Sequence, residues 1–390
     1  MLSPRRYAES QAGEEMPLLL AAGSVSAETL RQPVCPGVSG TGAGGIVMRK
    51  LLNTLFVSSE DIYLSLDNEN VAAWRGDTLV QKMPLINLEN IFYFGYRGAS
   101  PALLGACVRR NIGFCFLTPN GQFLARASGI TRGSVLLHKE QYRISDDETE
   151  SCRMASAMIS AKILNARAVL MRAARDHPLS VDQALFQDYT AELMRAARAA
   201  HQADTLEALR GIEGNAAQMY FSLFDSLILA DKSSFFFHRR SKRPPLDRVN
   251  ALLSFTYTLL AHDCASALEA AGLDASAGFL HRDRPGRASL ALDLMEELRS
   301  IYADRFVLTL INNRVIRRGD FQQVEDGAVW LNETGRKNLL RQWQERKRES
   351  ITHPFLKEKI PWGLIPYVQA LLLGRCLRGD LDGYPPFLWK

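Results

Sequence analysis

Asp147-Glu-Thr-Glu-Ser-Cys-Arg-Met-Ala-Ser-Ala-Met-Ile-Ser-Ala-Lys-Ile-Leu-Asn-Ala-Arg-Ala-Val-Leu-Met-Arg-Ala-Ala-Arg175 is the stretch on which the fold turns. It is rich in Ala, Met, Arg and Leu, all strong helix formers, and predicts one long helix over 147–175. Downstream of it, apolar residues recur every three to four positions as far as the C-terminus. That period predicts helices over 181–200, 207–227, 249–271, 289–302, 304–313, 335–350 and 361–378. Upstream the signals reverse. Short runs of β-branched, aromatic and leucine residues lie at 55–57, 62–66, 71–74, 91–95, 113–117 and 122–125. Turn signals separate them: Asp67-Asn68, Arg75-Gly-Asp77 and Thr118-Pro-Asn-Gly121. One helix, about 100–110, interrupts the strands, with Ser100 as its N-cap and Pro101 in its first turn. The expected class is therefore α+β: a small N-terminal β-sheet or sandwich domain at 48–133, followed by a larger all-α domain at 134–390. No repeat at a solenoid period is present.

Residues 1–47 differ from the rest. They are rich in Gly, Ser, Ala and Pro without sustained periodicity, and are expected to be a disordered extension ahead of Met48. Gly40-Thr-Gly-Ala-Gly-Gly45 matches GxGxxG on paper. A dinucleotide loop needs a strand before it and a helix after it; here Gln32-Pro-Val-Cys-Pro36 precedes and a strand-like segment follows, so it reads as a linker. With 390 residues, 47% hydrophobic and 23% charged, the chain is long enough for two or three domains and is not mostly disordered. No stretch reaches the 18 or so consecutive apolar residues of a membrane span. A net charge of +5 permits an anionic partner without demanding one. Cys35, Cys107, Cys115, Cys152, Cys264 and Cys376 form no CxxC pair. Their scatter fits a reducing compartment, and no secretory signal is convincing, so the expectation is cytoplasmic.

Three features carry chemistry. In Gly211-Ile-Glu-Gly-Asn-Ala-Ala-Gln-Met-Tyr-Phe221, helical spacing puts Glu213, Ala217, Tyr220 and Phe224 on one inward face. Glu213 thus ends a buried stripe, where a carboxylate needs a partner, a hydrogen bond or a metal; alternatively it serves the helix dipole. Next, His281 ends the apolar run Gly278-Phe-Leu-His281 before a Pro-Gly loop, and Asp293 and Glu296 share one face of the following helix by i, i+3 spacing. Imidazole plus carboxylates suits Mg²⁺ or Mn²⁺ acting on phosphate. By spacing alone, however, the commoner outcome for so short a pattern is a solvated face of Glu296, Glu297 and Arg299 beside a satisfied loop histidine. Third, Arg239, Arg240, Lys242 and Arg243 crowd a proline-bounded segment after Phe235-Phe-Phe237. Arginine with aromatics fits a phosphate backbone, and the basic residues of 335–349 favour a nucleic acid over a small anion. No Walker A loop, GxSxG elbow or HExxH motif is present, so a nucleophile is expected from substrate or water.

Four blocks together resemble a known family: Gly211-Ile-Glu-Gly-Asn-Ala-Ala217; Arg243-Pro-Pro-Leu-Asp-Arg-Val-Asn-Ala-Leu-Leu-Ser-Phe-Thr-Tyr257; Gly278-Phe-Leu-His281 with Asp293-Leu-Met-Glu296; and the tail Leu377-Arg-Gly-Asp-Leu-Asp-Gly-Tyr-Pro-Pro-Phe-Leu-Trp-Lys390. In this order they resemble the CRISPR adaptation integrase, the CRISPR-associated endonuclease that inserts new spacers, in its type I-C form. The resemblance runs from Met48 to Lys390. It implies a β domain that dimerises and an α-helical, metal-dependent catalytic domain. It places metal ligands on Glu213, His281 and Glu296, with Glu296 standing where many relatives carry Asp. Asp293 matches a further acidic position, left to orient a ligand or to help deprotonate a hydroxyl. The implied reaction is transesterification: the 3′-hydroxyl of a DNA fragment attacks the repeat-end phosphate, with Mg²⁺ or Mn²⁺ as Lewis acid. Arg239, Arg240, Lys242 and Arg243 would hold phosphates of double-stranded DNA, both spacer precursor and CRISPR repeat. The implied partners are a second copy of the chain, the small second CRISPR adaptation protein and the iron–sulfur adaptation nuclease, with no membrane. Two other readings share these residues: a non-catalytic DNA-binding scaffold and a general branched-DNA nuclease.

Overall fold

A computed structural model describes residues 48–389, apart from 52–53, 58, 60, 89, 111, 119–122, 128–133, 242–243 and 325–326. The extension expected at 1–47, with its glycine run and Cys35, lies outside the described residues. Eight strands and one helix come first: β1 (Met48–Leu51), β2 (Thr54–Val57), β3 (Tyr63–Asp67), β4 (Asn70–Arg75), β5 (Thr78–Pro84), β6 (Asn90–Phe94), α1 (Pro101–Arg109), β7 (Gly113–Leu117) and β8 (Phe123–Ala127). They form a five-stranded sheet in the order β1-β2-β6-β7-β8 and a three-stranded sheet, β3-β4-β5. The pairs β2–β6 and β6–β7 are parallel. A parallel neighbour needs a crossover, and α1 supplies it between β6 and β7. Ser100 Oγ accepts from Leu103 N and Pro101 opens the helix, as the sequence predicts. The β3–β4 turn uses Asn68 and Glu69, both at positive φ, and the β4–β5 turn uses Gly76.

Strand alternation gives the five-stranded sheet two buried faces. Leu55, Val57, Ile91, Tyr93 and Phe114 face a core completed by the three-stranded sheet and α1. Phe56, Phe92, Phe94, Cys115 and Leu117 face the helices instead. Tyr367 meets Phe56, Phe92 and Phe94 there, with ring centroids 5.5–6.4 Å apart. The sheet is therefore also one wall of the helical core.

The helices are α2 (Ser134–Asp146), α3 (Glu148–Asp176), α4 (Gln183–His201), α5 (Leu206–Ser222), α6 (Arg248–Ala271), α7 (Ser289–Glu296), α8 (Arg305–Asn312), α9 (Glu333–Arg348) and α10 (Ile365–Leu377). Asp147 stops α2 and caps α3, its carboxylate accepting from Thr149 N and Glu150 N. α3 runs through the centre, packed against α4, α5 and α7. By length and mean composition α3 is the one helix among the described residues that could cross a membrane, but charged residues interrupt its apolar run and 67% of that window is buried inside the protein, as in a core helix. Differences from expectation are local. The turn Phe224–Leu227 is 3₁₀, not part of α5. A π-helical turn, Arg299–Asp304, separates α7 from α8. Two small hairpins, β9 (Phe321–Gln323) with β10 (Val329–Leu331) and β11 (Ser350–Thr352) with β12 (Lys359–Pro361), flank α9. Three-residue strands are too short to leave a period in sequence.

Candidate active site

The loop before α7 is built around Asp293. Its Oδ2 accepts from Phe279 N (2.6 Å) and Leu280 N (2.9 Å), and its Oδ1 from His281 N (3.1 Å). His281 Nδ1 lies 2.5 Å from the same Oδ1. Asp293 is 1% exposed, so three amides and an imidazole replace the water it lost. The close approach of loop to helix requires Gly278: a Cβ there would stand 2.8 Å from Ser289 Cβ and 2.9 Å from His281 O. The loop carbonyls are held too, Gly278 O by Ser145 Oγ at 2.7 Å and Leu280 O by Arg210 Nη2 at 2.6 Å. With Nδ1 committed to Asp293, Nε2 is the His281 nitrogen available to a ligand.

One turn along α7, Glu296 is buried. Arg299 Nη2 lies 2.9 Å from its Oε1, and Lys162 Nζ, from α3, 2.7 Å from its Oε2. The same ammonium pairs with Oε1 of Glu213 on α5. Burial alone would push the Glu296 carboxyl up, but Arg299 and Lys162 hold it down at about 2. Three helices thus meet at two carboxylates and one lysine. Glu213 is half-buried at the end of the stripe that continues through buried Tyr220 and Phe224, as spacing predicts. The solvated face expected by spacing alone for Glu296, Glu297 and Arg299 is contradicted: Glu296 is 3% and Glu297 0% exposed, and Arg299 lies over the Tyr257 ring, 5.2 Å from its centroid. The cause is the centre of the fold, since α7 packs between α3 and α6.

A cleft of about 830 Å³ opens beside this cluster. Lys162 and Glu213 line it with Tyr257, the π-turn residues Arg299, Ser300 and Asp304, and His238, Arg239 and Arg240. Burial raises the Asp304 carboxyl to about 6, against the hydrogen bond from Tyr257 Oη at 2.6 Å. The basic segment divides. Arg239 is exposed at the cleft. Arg240 is committed inward: Nη1 donates to Asn250 Oδ1 (2.6 Å) and Ser241 O (2.7 Å), Nη2 to Ser254 Oγ (3.1 Å). Lys242 and Arg243 lie outside the described residues. In α9, Lys347 pairs with Asp263 at 2.6 Å and Arg346 with Glu349, while Arg336, Arg341 and Arg348 are exposed.

Two carboxylates and one imidazole nitrogen suit a hard divalent cation such as Mg²⁺ or Mn²⁺. One observation fits that donor set: buried Glu296 Oε2 has as its close partner Lys162 Nζ, at 2.7 Å, a cation shared with Glu213. Among the described residues, no three His, Cys, Asp or Glu side chains are grouped so as to hold a metal ion as they stand; Lys162 stands between the two carboxylates. Lys162 and Arg299 are the site residues that motif spacing missed. A signal existed for the first: Lys162 is the one lysine of α3, set in the apolar run Met158-Ile-Ser-Ala-Lys-Ile-Leu164.

Comparison with known proteins bears on the fold and the family. Residues 55–345 match the family model described as CRISPR associated protein Cas1. A CRISPR-associated endonuclease Cas1 of Chlorobaculum tepidum is 47% identical over 343 residues, covering 88% of this chain and all of that protein. Among solved structures, a casposase bound to integration product superposes with a TM-score of 0.70 at 21% identity, covering 86% of this chain and 99% of that one. A chain of a partial Cas6-RT-Cas1–Cas2 complex gives 0.66 at 22% identity, covering 86% and 98%. Family model, sequence identity and fold agree: the chain belongs to the CRISPR-associated protein Cas1 family.

Proposed function

We propose that this protein is a metal-dependent DNA integrase and endonuclease of CRISPR adaptation, joining foreign DNA fragments to the repeat by transesterification. The observation that carries the proposal is the pairing of Glu213 and Glu296 through Lys162 at the cleft, with His281 held by Asp293 one turn before Glu296 on α7, in a chain that matches a Cas1 endonuclease of Chlorobaculum tepidum over that protein's whole length. Mg²⁺ or Mn²⁺ held by Glu213, His281 and Glu296 would supply Lewis-acid polarisation of a phosphodiester. The chain's own residues do the rest. Asp293 spends its oxygens on three amides and His281 Nδ1, which makes it the group that fixes the imidazole and its tautomer, not a base for substrate. Arg299 holds Glu296 ionised and turned toward Lys162. Exposed Arg239 meets backbone phosphates, which positions DNA without reading sequence. Arg240 shapes that segment through Asn250 and Ser254. The attacking 3′-hydroxyl belongs to the DNA, so no protein nucleophile is needed.

Family membership supports a homodimer, a small Cas2-like partner and action in the cytoplasm. For the dimer, edge strand β5 leaves Leu79 and Val80 exposed, near Ile86 at 86% exposed. The test is strand transfer: duplex ends and a supercoiled plasmid bearing a CRISPR repeat, with Mn²⁺ or EDTA, with and without the small partner, for wild type and His281→Ala. Metal-dependent joining, absent in the variant, is expected. Nicking without joining would favour the branched-DNA nuclease, and salt-sensitive binding alone the scaffold.

A further inference from the structure

Lys162 is the group at the site that the proposed chemistry leaves without a task. Its side chain is 13% exposed, and its ammonium is shared between Glu213 Oε1 and Glu296 Oε2. Glu296 has two cationic neighbours, and they differ in how firmly they are held. Arg299 bonds Oε1 at 2.9 Å while its planar guanidinium lies over the Tyr257 ring. Lys162 is a point charge on a flexible four-carbon stem. Beside it, buried Glu296 Oε2 has Lys162 Nζ at 2.7 Å as its one close partner. Lys162 also lines the cleft, which gives its head group an open side to move into.

From these contacts we infer that Lys162 is a displaceable counter-cation whose ammonium stands in the place a divalent ion takes between Glu213 and Glu296. This rests on the reading of those carboxylates as metal ligands. Without an ion, the two carboxylates would face each other in a buried setting, and the ammonium offsets their repulsion. A divalent ion and the ammonium cannot both occupy that place. Lys162 therefore competes with the ion, lowering the affinity of the site, and on loading it turns into the cleft. The same residue stabilises the metal-free fold and weakens metal binding, two effects of opposite sign on one side chain.

The experiment is Mn²⁺ titration of the full chain, following free Mn²⁺ by electron paramagnetic resonance, for wild type, Lys162→Met, Lys162→Arg and Glu213→Gln. Lys162→Met keeps the stem and removes the charge; it is expected to bind Mn²⁺ about tenfold more tightly, about 1.4 kcal/mol, and to melt at a lower temperature without metal. Lys162→Arg keeps the charge and stays near wild type. Glu213→Gln loses the site. Equal or weaker binding in Lys162→Met, with a Glu213-dependent site intact in wild type, overturns the inference alone. Absence of any Glu213-dependent binding in wild type overturns the ligand assignment as well. If Lys162→Met does not fold, acylation of the Lys162 amine in wild type, read by mass spectrometry, replaces it. Mg²⁺ is expected to speed that labelling; an unchanged rate under saturating Mg²⁺ overturns the inference.

Discussion

Glu296 and Glu297 are neighbours in sequence, both buried, and opposite in character. Glu296 faces the cleft side, between Arg299 and Lys162, and is held down at about 2. Glu297 faces the C-terminal tail and meets neutral donors: Tyr384 Oη at 2.6 Å, Gln369 Nε2 at 2.9 Å and Phe387 N at 2.9 Å. Burial pushes its carboxyl up to about 7, against those hydrogen bonds. The tail network continues through Asn165, whose Nδ2 donates to Glu297 O and Phe387 O, both at 2.7 Å, and whose Oδ1 accepts from Trp389 N at 2.8 Å. Asn165 lies one turn from Lys162 on α3. So two adjacent turns of α3 and two adjacent residues beyond the Asp293 loop split between a charged side and a neutral side. Buried charge is kept where cations gather, and buried hydrogen bonding where the tail must be anchored.

The largest expected effect lies on the charged side. Glu213→Ala and His281→Ala should each cut metal-dependent strand transfer by about 10³-fold, near 4 kcal/mol of transition-state stabilisation. DNA affinity, read by gel shift, should change little. On the neutral side, Glu297→Ala takes the acceptor from Tyr384 Oη and Phe387 N, while Gln369 Nε2 keeps Tyr384 Oη and Pro385 O, and should cost about 3 kcal/mol of stability by denaturant unfolding. The comparison would break if Glu297→Ala left stability intact.

Acid sharpens the contrast further along the tail network. His353 Nε2 lies 3.0 Å from Gln369 Oε1, and its Nδ1 accepts from Phe355 N and Leu356 N at 3.3 and 3.2 Å. Such a ring must be neutral, and burial pulls it down to about 4. The folded value lies below the ordinary 6.5, so the unfolded chain binds the extra proton between these limits. The stability from neutral His353 is complete above pH 6.5 and is lost as pH falls from about 6.5 to about 4, in all about 3 kcal/mol. The stability advantage of wild type over His353→Gln, read by denaturant unfolding, should shrink by about 3 kcal/mol as pH falls across that window. The smallest effect is Arg239→Ala, which should weaken DNA binding about equally for all sequences and reduce the slope of log affinity against log salt by about 1.

Sequence reading reached the order of strands and helices because the periods are strong where a face is buried: 55–57 and 91–95 as strands, 147–175 as one helix. It missed β5, whose residues are mostly exposed and so carry no core alternation, and α2, which ends where Asp147 begins another helix. At the site, spacing singled out Glu213, His281, Asp293 and Glu296 as candidates but favoured a solvated face for Glu296; only the family resemblance joined them in one metal site. Their partners were hidden. Lys162 is 51 residues from Glu213 in sequence. Arg299 turns toward Glu296 within one turn but reads as surface charge until the burial of α7 is known. The π-helical turn that brings Arg299, Ser300 and Asp304 to one cleft carries no motif.

The most direct test of the account sets the two glutamates against each other: Mn²⁺-dependent strand transfer by Glu296→Gln and Glu297→Gln, each first shown to be folded. The account predicts that Glu296→Gln loses joining and that Glu297→Gln keeps it, with at most a modest loss of stability. Joining at the wild-type rate by Glu296→Gln, or its loss in a well-folded Glu297→Gln, would contradict the account.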